Sequence, residues 1–267
     1  MSEPLSWSQA APRTAWRRGE AAQGSREIPE ESPIALAYDA STYAVMMASP
    51  ADLEDFAVGF SLTEGIIDHP SELRGMEMVE QSLGIEARLW LAPERSARLA
   101  ERRRLMAGPT GCGLCGIDSL EQAVRRWPPV GGQEVRITPD AVLAAMAALT
   151  TAQPLGAATR AAHAAGYWRA GRLVAAREDV GRHNALDKLI GALARADDVG
   201  TAGAVLLTSR VSIEMVQKTA RLGAPILIAV SAPTALAVRT AEEANITLIA
   251  VAREDGFEVF THQERVG

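Results

Sequence analysis

The sequence predicts an α/β protein, and two patterns carry that prediction. The first part of the chain alternates short strand-like runs with turn residues, whereas from Thr138 onward short apolar runs alternate with helical segments. The apolar runs of the second part are nearly free of polar residues, as expected of parallel strands buried on both faces. We therefore expect a small N-terminal α+β domain followed by a C-terminal three-layer α/β domain.

Composition and charge narrow the class of protein. The chain has 267 residues, of which 48% are hydrophobic, and this is enough to bury a substantial core. A net charge of −6 argues against nucleic acid as the main partner. Arg17 and Arg18 precede a polar stretch over residues 19–31 rather than the apolar region of a signal peptide, and no run of about 18 apolar residues occurs. We therefore expect a cytoplasmic protein that binds neither nucleic acid nor a membrane.

The first half is expected to form a small sheet covered by helices. Residues 1–27 mix Ser, Pro, Arg, Gln and Gly without periodicity, which predicts a disordered extension. Pro50 is expected to open a helix that has acidic residues in its first turn and ends near Gly65. Residues 28–107 are then expected to form an antiparallel sheet with helices packed on it, with strands at residues 33–38, 42–48, 76–81 and 85–91.

The second half, residues 138–267, is expected to alternate helices and strands. Thr138, Pro139 and Asp140 predict the start of an Ala-rich helix that continues to Leu149. Continuous apolar runs predict the strands, and the spacing of apolar residues predicts the helices. The expected strands are residues 172–176, 204–208, 225–230 and 246–251, and the expected helices are residues 184–194, 213–222 and 235–244.

Both cysteines of the chain lie in one glycine-flanked hexapeptide within residues 108–137, which we interpret as a loop with a linker helix. The hexapeptide reads Gly111, Cys112, Gly113, Leu114, Cys115, Gly116. Asp118 and Ser119 are good helix N-caps, so the pair is expected just before a helix N-terminus, where the positive end of the helix dipole favours thiolate. Lowering a thiol pKa from ~8.5 to ~7 raises the thiolate fraction at neutral pH to about half.

Three chemistries compete for such a Cys-x-x-Cys pair. A structural zinc site needs two further ligands at fixed spacing, but the four histidines are scattered singly along the chain. A thioredoxin-like redox couple sits directly at a strand-to-helix junction, whereas the glycines here loosen the backbone. The third chemistry is a sulfur carrier, in which a thiolate holds sulfane sulfur as a persulfide. Glycine-rich backbone on both sides of the cysteines suits the carrier best.

Polar residues follow each predicted strand of the second half. Because ligands bind at the carboxyl ends of parallel strands, arginines, a histidine and several helix N-termini at that edge predict an anion-binding rim. Simpler interpretations stay open: the hydroxyl residues could be helix caps, and Asp179 could pair with Arg182. No glycine-rich phosphate loop is present, which disfavours an ordinary dinucleotide enzyme. The residues concerned are Glu178, Asp179, Arg182, His183, Ser209, Arg210, Ser231, Thr234 and Arg253.

Several stretches in order resemble the FdhD/NarQ family of formate dehydrogenase accessory sulfurtransferases. They are residues 43–47, 51–67, the hexapeptide of Cys112 and Cys115, and residues 178–191, 209–219 and 261–266. The resemblance implies a homodimeric sulfurtransferase that takes sulfur from a cysteine desulfurase. It delivers that sulfur to the bis-molybdopterin guanine dinucleotide cofactor before the cofactor enters formate dehydrogenase. The resemblance also implies that the second domain, residues 138–267, binds this cofactor and has a fold like that of cytidine deaminase.

The resemblance assigns roles to the two cysteines, and the predicted rim adds a role for a histidine. Cys112 would hold the persulfide and Cys115 would assist it or share it. A histidine at the predicted rim, His183, would lie near the transferred sulfur or would merely cap the helix that follows it. No structural metal is expected. The resemblance implies cofactor contacts by Val251, Ala252, Arg253, Glu254, Asp255 and Gly256, and the predicted rim adds Ser209, Arg210 and His183.

Two alternative functions are a molybdenum-cofactor chaperone and a zinc-dependent hydrolase. A non-catalytic chaperone could bind the molybdenum cofactor with the same residues and without sulfur transfer. A zinc-dependent hydrolase of the deaminase type needs His-x-Glu before Cys-x-x-Cys. The His-x-Glu of this chain, His262 to Glu264, follows the cysteines instead, so the order is reversed.

Overall fold

The computed structural model describes residues 6–106, 128–132, 134–198 and 200–267. The strands of this part of the chain form three sheets: a two-stranded hairpin, a small mixed sheet of four strands and a large sheet of six strands. The fold is therefore mixed α/β, as predicted. Cys112 and Cys115 lie outside the described residues, as does the rest of the expected loop and linker helix up to residue 127.

The N-terminal residues form a hairpin, so the prediction of a disordered extension over residues 1–27 is wrong where the structure describes them. Strands β1 (Ser8–Arg17) and β2 (Glu20–Pro29) pair antiparallel along their whole length. Arg18 and Gly19 form the turn, both with positive φ, as a tight two-residue hairpin requires. The prediction fails because backbone hydrogen bonds hold this ribbon while both faces stay largely exposed, so its sequence needs no apolar alternation.

The small sheet comes from the first half, and its strands agree with the prediction. Its spatial order is β4-β3-β6-β5. It is mixed rather than purely antiparallel, because β3 and β6 run parallel, with Ile34 opposite Ile85. The elements are β3 (Ser32–Tyr38), β4 (Ser41–Ala48), α1 (Leu53–Thr63), β5 (Leu73–Gln81), β6 (Gly84–Leu91) and α2 (Pro93–Met106).

The large sheet has the order β12-β11-β10-β9-β7-β8. Strands β9, β10 and β11 are parallel, and the β7–β8 hairpin completes one side. The sequence patterns missed β7, α4 and the short edge strand β12. The elements are α3 (Pro139–Thr151), α4 (Pro154–Thr159), β7 (His163–Arg169), β8 (Arg172–Asp179), α5 (Arg182–Arg195), β9 (Ala204–Leu207), α6 (Ile213–Leu222), β10 (Ile226–Ala229), α7 (Ala235–Glu243), β11 (Thr247–Arg253) and β12 (Gly256–Val259).

Helix boundaries in the second half follow the capping residues that the sequence offers. The side chain of Thr138 accepts a hydrogen bond from the amide of Ala141 and caps α3, with Pro139 as the first helical residue. Gly223, with φ of 81°, ends α6 in the left-handed conformation typical of a helix C-cap. Helix α3 packs on one face of the large sheet and α5 on the other, so the sheet is covered on both sides.

The two halves meet where helices α1 and α5 cross with their backbones in contact. A Cβ atom on Gly59 would lie 1.7 Å from the carbonyl oxygen of Asp187, and one on Gly191 would lie 1.8 Å from that of Asp55. Only glycine permits so close an approach. One buried hydrophobic cluster therefore runs from the small sheet through α1 and α5 to the large sheet.

Candidate functional site

One edge of the large sheet gathers the polar residues that follow its strands. Strand β7 runs antiparallel to both β8 and β9, so the start of β7 lies beside the ends of its neighbours. His163 is accordingly opposite Asp179, and the amide of Val251 approaches the carbonyl oxygen of Ser231 at 3.5 Å. We call this row, marked by His163, Asp179, Ser209 and Ser231, the carboxyl edge. The prediction that these strand ends share one edge is confirmed.

His183 faces a carboxylate at the carboxyl edge. It lies in the first turn of α5, and its Nε2 is 3.4 Å from Oε2 of Glu214 in the first turn of α6. The hydroxyl of Ser212 donates to the same Oε2 at 2.6 Å. Gly181, not His183, occupies the N-cap of α5, so the interpretation of His183 as a helix cap is wrong.

Burial and nearby charged groups decide the protonation states of His183 and Glu214. Burial, then Arg182 and Lys218, lower the pKa of His183 below its ordinary 6.5. Burial by itself would raise the pKa of Glu214, but the Ser212 hydrogen bond and His183 together hold that pKa below its usual value. At neutral pH the site therefore presents a neutral imidazole beside an ionised carboxylate, an arrangement suited to accepting a proton.

A buried ion pair fixes the turn that presents His183. Nζ of Lys188 lies 2.7 Å from Oδ2 of Asp179, and both side chains are fully buried. The other oxygen of Asp179 accepts hydrogen bonds from the amide of Gly181 and the side chain of Asn184. Asp179 is thus paired with Lys188 and not with Arg182, which corrects the simpler interpretation from sequence.

The small sheet takes part in the same network. The amide of Ser49 donates to Oδ2 of Asp179 at 3.0 Å, and its carbonyl accepts from Lys188 at 2.9 Å. The hydroxyl of Ser49 accepts from the amide of Val180. Because β4 of the small sheet ends one residue before Ser49, the two halves of the chain jointly hold the turn before α5.

Ser209 and Arg210 follow β9 but differ in environment. Ser209 is buried, and its hydroxyl donates to the carbonyl of Arg210 at 3.0 Å, whereas Arg210 is exposed. Ser212 stands at the N-cap of α6, so Ser209 is not a cap. Thr234 does cap α7 through the amide of Ala237, as the simpler interpretation expected.

The stretch from Val251 to Gly256 ends β11 in a bulge. The pairing register with β12 shifts between Ala250 and Arg253, and Val251 has a φ of 53°. This conformation is an outlier for a β-branched residue, and strain of this kind clusters at ligand sites. Ala252 is buried, whereas Arg253, Glu254 and Asp255 are exposed beyond the bulge.

Residues 29–267 match the model of the FdhD/NarQ family. The chain belongs to the FdhD/NarQ family. It is 54% identical over 256 residues to a protein of Agrobacterium fabrum named sulfur carrier protein FdhD, covering 95% of this chain and 94% of that protein. A protein of the same name from Cupriavidus necator is 51% identical, covering 94% of this chain and 87% of that one.

A solved structure resembles the whole fold. The crystal structure of a putative formate dehydrogenase accessory protein from Desulfotalea psychrophila aligns with a TM-score of 0.76 at 26% identity. The alignment covers 98% of this chain and all of that one. The family resemblance inferred from the sequence motifs is thus confirmed.

The described residues hold neither a cluster of metal-ligating side chains nor a helix that could span a membrane. Among them, no three His, Cys, Asp or Glu side chains gather as a possible metal site. His262 of the His-x-Glu segment lies in the last turn of the chain, with Nδ1 3.8 Å from Glu264. No helix in the described part of this family member is long and apolar enough to cross a membrane.

Two charged residues of the site, Glu214 and Lys218, were not predicted from the sequence. Glu214 and Lys218 are four residues apart on α6, and that spacing places them on one face. Nζ of Lys218 bridges both oxygens of Asp187 at 2.6 and 2.7 Å. The signal that could have found them is this pair of charges in a helix whose N-terminus faces the predicted rim.

Proposed function

We propose that the chain is a sulfur carrier that accepts persulfide sulfur from a cysteine desulfurase. The sulfur then passes to bis-molybdopterin guanine dinucleotide, which becomes active in the catalytic subunit of formate dehydrogenase. The observation that carries the proposal is the family match together with relatives named sulfur carrier protein at about half identity over nearly the whole chain. The dithiol of Cys112 and Cys115 is the only pair of thiols in the sequence that could serve.

In the proposed loading step, the thiolate of Cys112 attacks the outer sulfur of the donor persulfide. The bond between the two donor sulfurs breaks, and the donor cysteine leaves as a thiolate. One sulfur atom is transferred from the donor cysteine to Cys112, and no external oxidant or reductant is consumed. Cys115 assists Cys112 or shares the sulfur. This makes the protein a sulfurtransferase that acts by covalent relay.

The carboxyl edge is the proposed site for the cofactor cargo. Arg253 and Arg210 are exposed cations that suit phosphate groups, and the N-termini of α5 and α6 open onto the same edge. The strained bulge supports ligand contacts by Val251, Ala252, Arg253, Glu254, Asp255 and Gly256. His183, held by Glu214, is proposed to accept or donate a proton during sulfur delivery, and buried Ser209 shapes the loop beneath Arg210.

Three further proposals follow from family membership. The second half has a cytidine deaminase-like arrangement, which is supported by the order of its parallel strands and by helices on both faces of the sheet. The protein acts in the cytoplasm, where thiols stay reduced. It is a homodimer.

The test is loading with sulfur followed by activity in cells. After incubation with a cysteine desulfurase and free cysteine, intact mass should increase by one sulfur atom, and reductant should remove it. Cys112→Ala should abolish loading and formate dehydrogenase activity, while Ser82→Ala, at an exposed turn between β5 and β6, should change neither. Full dehydrogenase activity with the Cys112→Ala/Cys115→Ala double variant would contradict the carrier and favour a cofactor chaperone.

A further inference from the structure

Among the described residues, nothing covers the β1–β2 hairpin along most of its length. Its ladder pairs Ser8 with Pro29 at the base and Arg17 with Glu20 at the tip, a span of roughly 33 Å for ten residues. Most of its strand residues are exposed and none is buried. It is anchored near its base, where β2 packs on α4 and Arg26 donates to the carbonyl of Thr159. Because a lone two-stranded hairpin is marginally stable in water, a partner surface is expected.

The tip of this hairpin combines an aromatic ring with two cations. The side chain of Trp16 is 73% exposed, and Arg17 and Arg18 follow it at the turn. Trp and Arg are the residues most enriched among those that dominate binding energy at protein interfaces. The hairpin as a whole has four arginines against two glutamates, although the chain is acidic overall. Its partner surface should therefore be acidic with an apolar floor.

A groove of that chemistry lies where three helices end. The last turns of α1, α5 and α6 supply an apolar floor that includes Leu62, Ala194 and Leu222. Three aspartates, Asp68, Asp197 and Asp198, also line it, together with one arginine, Arg221, which pairs with Asp68. Asp68 and Asp198 are already paired with arginines, whereas Asp197 has no ion-pair partner among the described residues. Three helix C-termini add negative potential, which favours a guanidinium group.

The size of the groove limits the kind of occupant. Its volume is about 120 Å³. Pockets for free small molecules start at roughly 300 Å³, so this groove suits a side chain supplied by a protein. No hairpin residue lines it in the same chain. An occupant from this hairpin must therefore come from another copy.

We propose that the hairpin tip of one copy docks in this groove of a second copy, and that the exchange is reciprocal. The indole of Trp16 lies on the apolar floor, and Arg17 and Arg18 meet Asp197 and the helix C-termini. Reciprocal exchange uses the same two surfaces on both copies and closes into a two-fold dimer. This inference rests on the homodimer proposed above and adds the surfaces that form it, and it is independent of the sulfur chemistry. A monomeric wild type would contradict both proposals, whereas unaffected dimerisation in the variants would contradict only these surfaces.

The experiment measures the dimer dissociation constant of the full chain by analytical ultracentrifugation over a concentration series. Wild-type protein should dimerise, and Arg17→Glu/Arg18→Glu should weaken dimerisation at least about tenfold. Asp197→Lys should weaken it similarly, and combining all three changes in one chain should restore much of the affinity. Arg172→Glu, at the exposed first residue of β8, is the matched control and should change nothing.

Two outcomes would overturn the proposal. One is a wild-type chain that stays monomeric throughout the series. The other is a dimer whose dissociation constant moves less than about threefold in Arg17→Glu/Arg18→Glu and in Asp197→Lys, because the tip and the groove then lie outside the interface. Circular dichroism should show every variant folded, since all of the substituted side chains are exposed or lie at a rim.

Discussion

Replacing Gly59 by alanine tests how closely α1 and α5 cross. Helix propensity alone predicts that alanine stabilises α1, whereas the close crossing predicts that it destabilises the protein. The new Cβ would lie 1.7 Å from the carbonyl oxygen of Asp187, whereas ordinary contacts begin at 3.4 Å. The clashing atoms belong to the backbone of α5, so no side-chain rotation relieves them. The two helices would have to move apart by about 1.7 Å, the difference between those two distances.

The magnitude follows from competing contributions to the free energy of unfolding. Helix propensity favours alanine over glycine by about 1 kcal/mol. Overpacking in a dense core costs about 1–3 kcal/mol, and more when nothing can yield. Separation also stretches the Arg195–Asp55 ion pair and the Thr63–Asp187 hydrogen bond, now 2.6 and 2.8 Å. Since a hydrogen bond to a charged group contributes ~1.5–3 kcal/mol, we expect a net loss of about 3 kcal/mol or more.

Urea unfolding followed by circular dichroism and by tryptophan fluorescence gives the measurement. A loss of ~3 kcal/mol should lower the thermal midpoint by roughly 6–12 °C in a chain of this size. The matched control is Gly24→Ala, since a Cβ there meets no atom within 4 Å. We expect that control to stay within ~0.5 kcal/mol of wild type. A Gly59→Ala protein as stable as wild type, or more stable, would refute the close crossing.

Three further outcomes are expected. Lys188→Met should destabilise by about 3–5 kcal/mol, because it leaves the buried carboxylate of Asp179 without a cation. Arg253→Ala should weaken binding of a guanine nucleotide roughly ten- to a hundredfold, more at low salt, without moving the thermal midpoint, because Arg253 is exposed. His183→Gln should reduce the loss of stability between about pH 7.5 and about pH 5.5.

The sign of the pH effect comes from the lowered pKa of His183. In the folded chain its pKa lies below the ordinary 6.5, so between the two values the unfolded chain binds more protons. Stability must then fall as pH falls through that window. His163, whose pKa is also lowered by burial and by Arg182, contributes in the same direction and should leave a residual dependence in His183→Gln.

Each expectation has an outcome that contradicts it. For Lys188→Met it is an unfolding midpoint within error of wild type. For Arg253→Ala it is unchanged nucleotide affinity, judged against Arg172→Ala at the opposite end of β8, which would show that the site is on another surface. For His183→Gln it is an unaltered difference between the two pH values, which would mean that His183 titrates alike in the folded and unfolded chains.

The sequence by itself determined most elements of the two main sheets, because local patterns specify them. Apolar runs such as residues 204–208 and 225–230 marked buried strands that the structure places side by side. Thr138 and Gly223 marked helix ends through capping preferences that act within one turn. Sequence motifs were also enough to identify the family, since such motifs need no knowledge of tertiary contacts.

Tertiary structure decided what depends on residues far apart in the chain. Ser49 meets Asp179 across 130 positions, and His183 meets Glu214 across 31, so no local pattern predicts either contact. The parallel pairing of β3 with β6 and the glycine crossing of α1 with α5 are likewise non-local. The hairpin is different: its ladder uses backbone groups that every residue has, so its side chains left no pattern to detect. Local preferences set the elements of this protein, and packing between distant elements set its site.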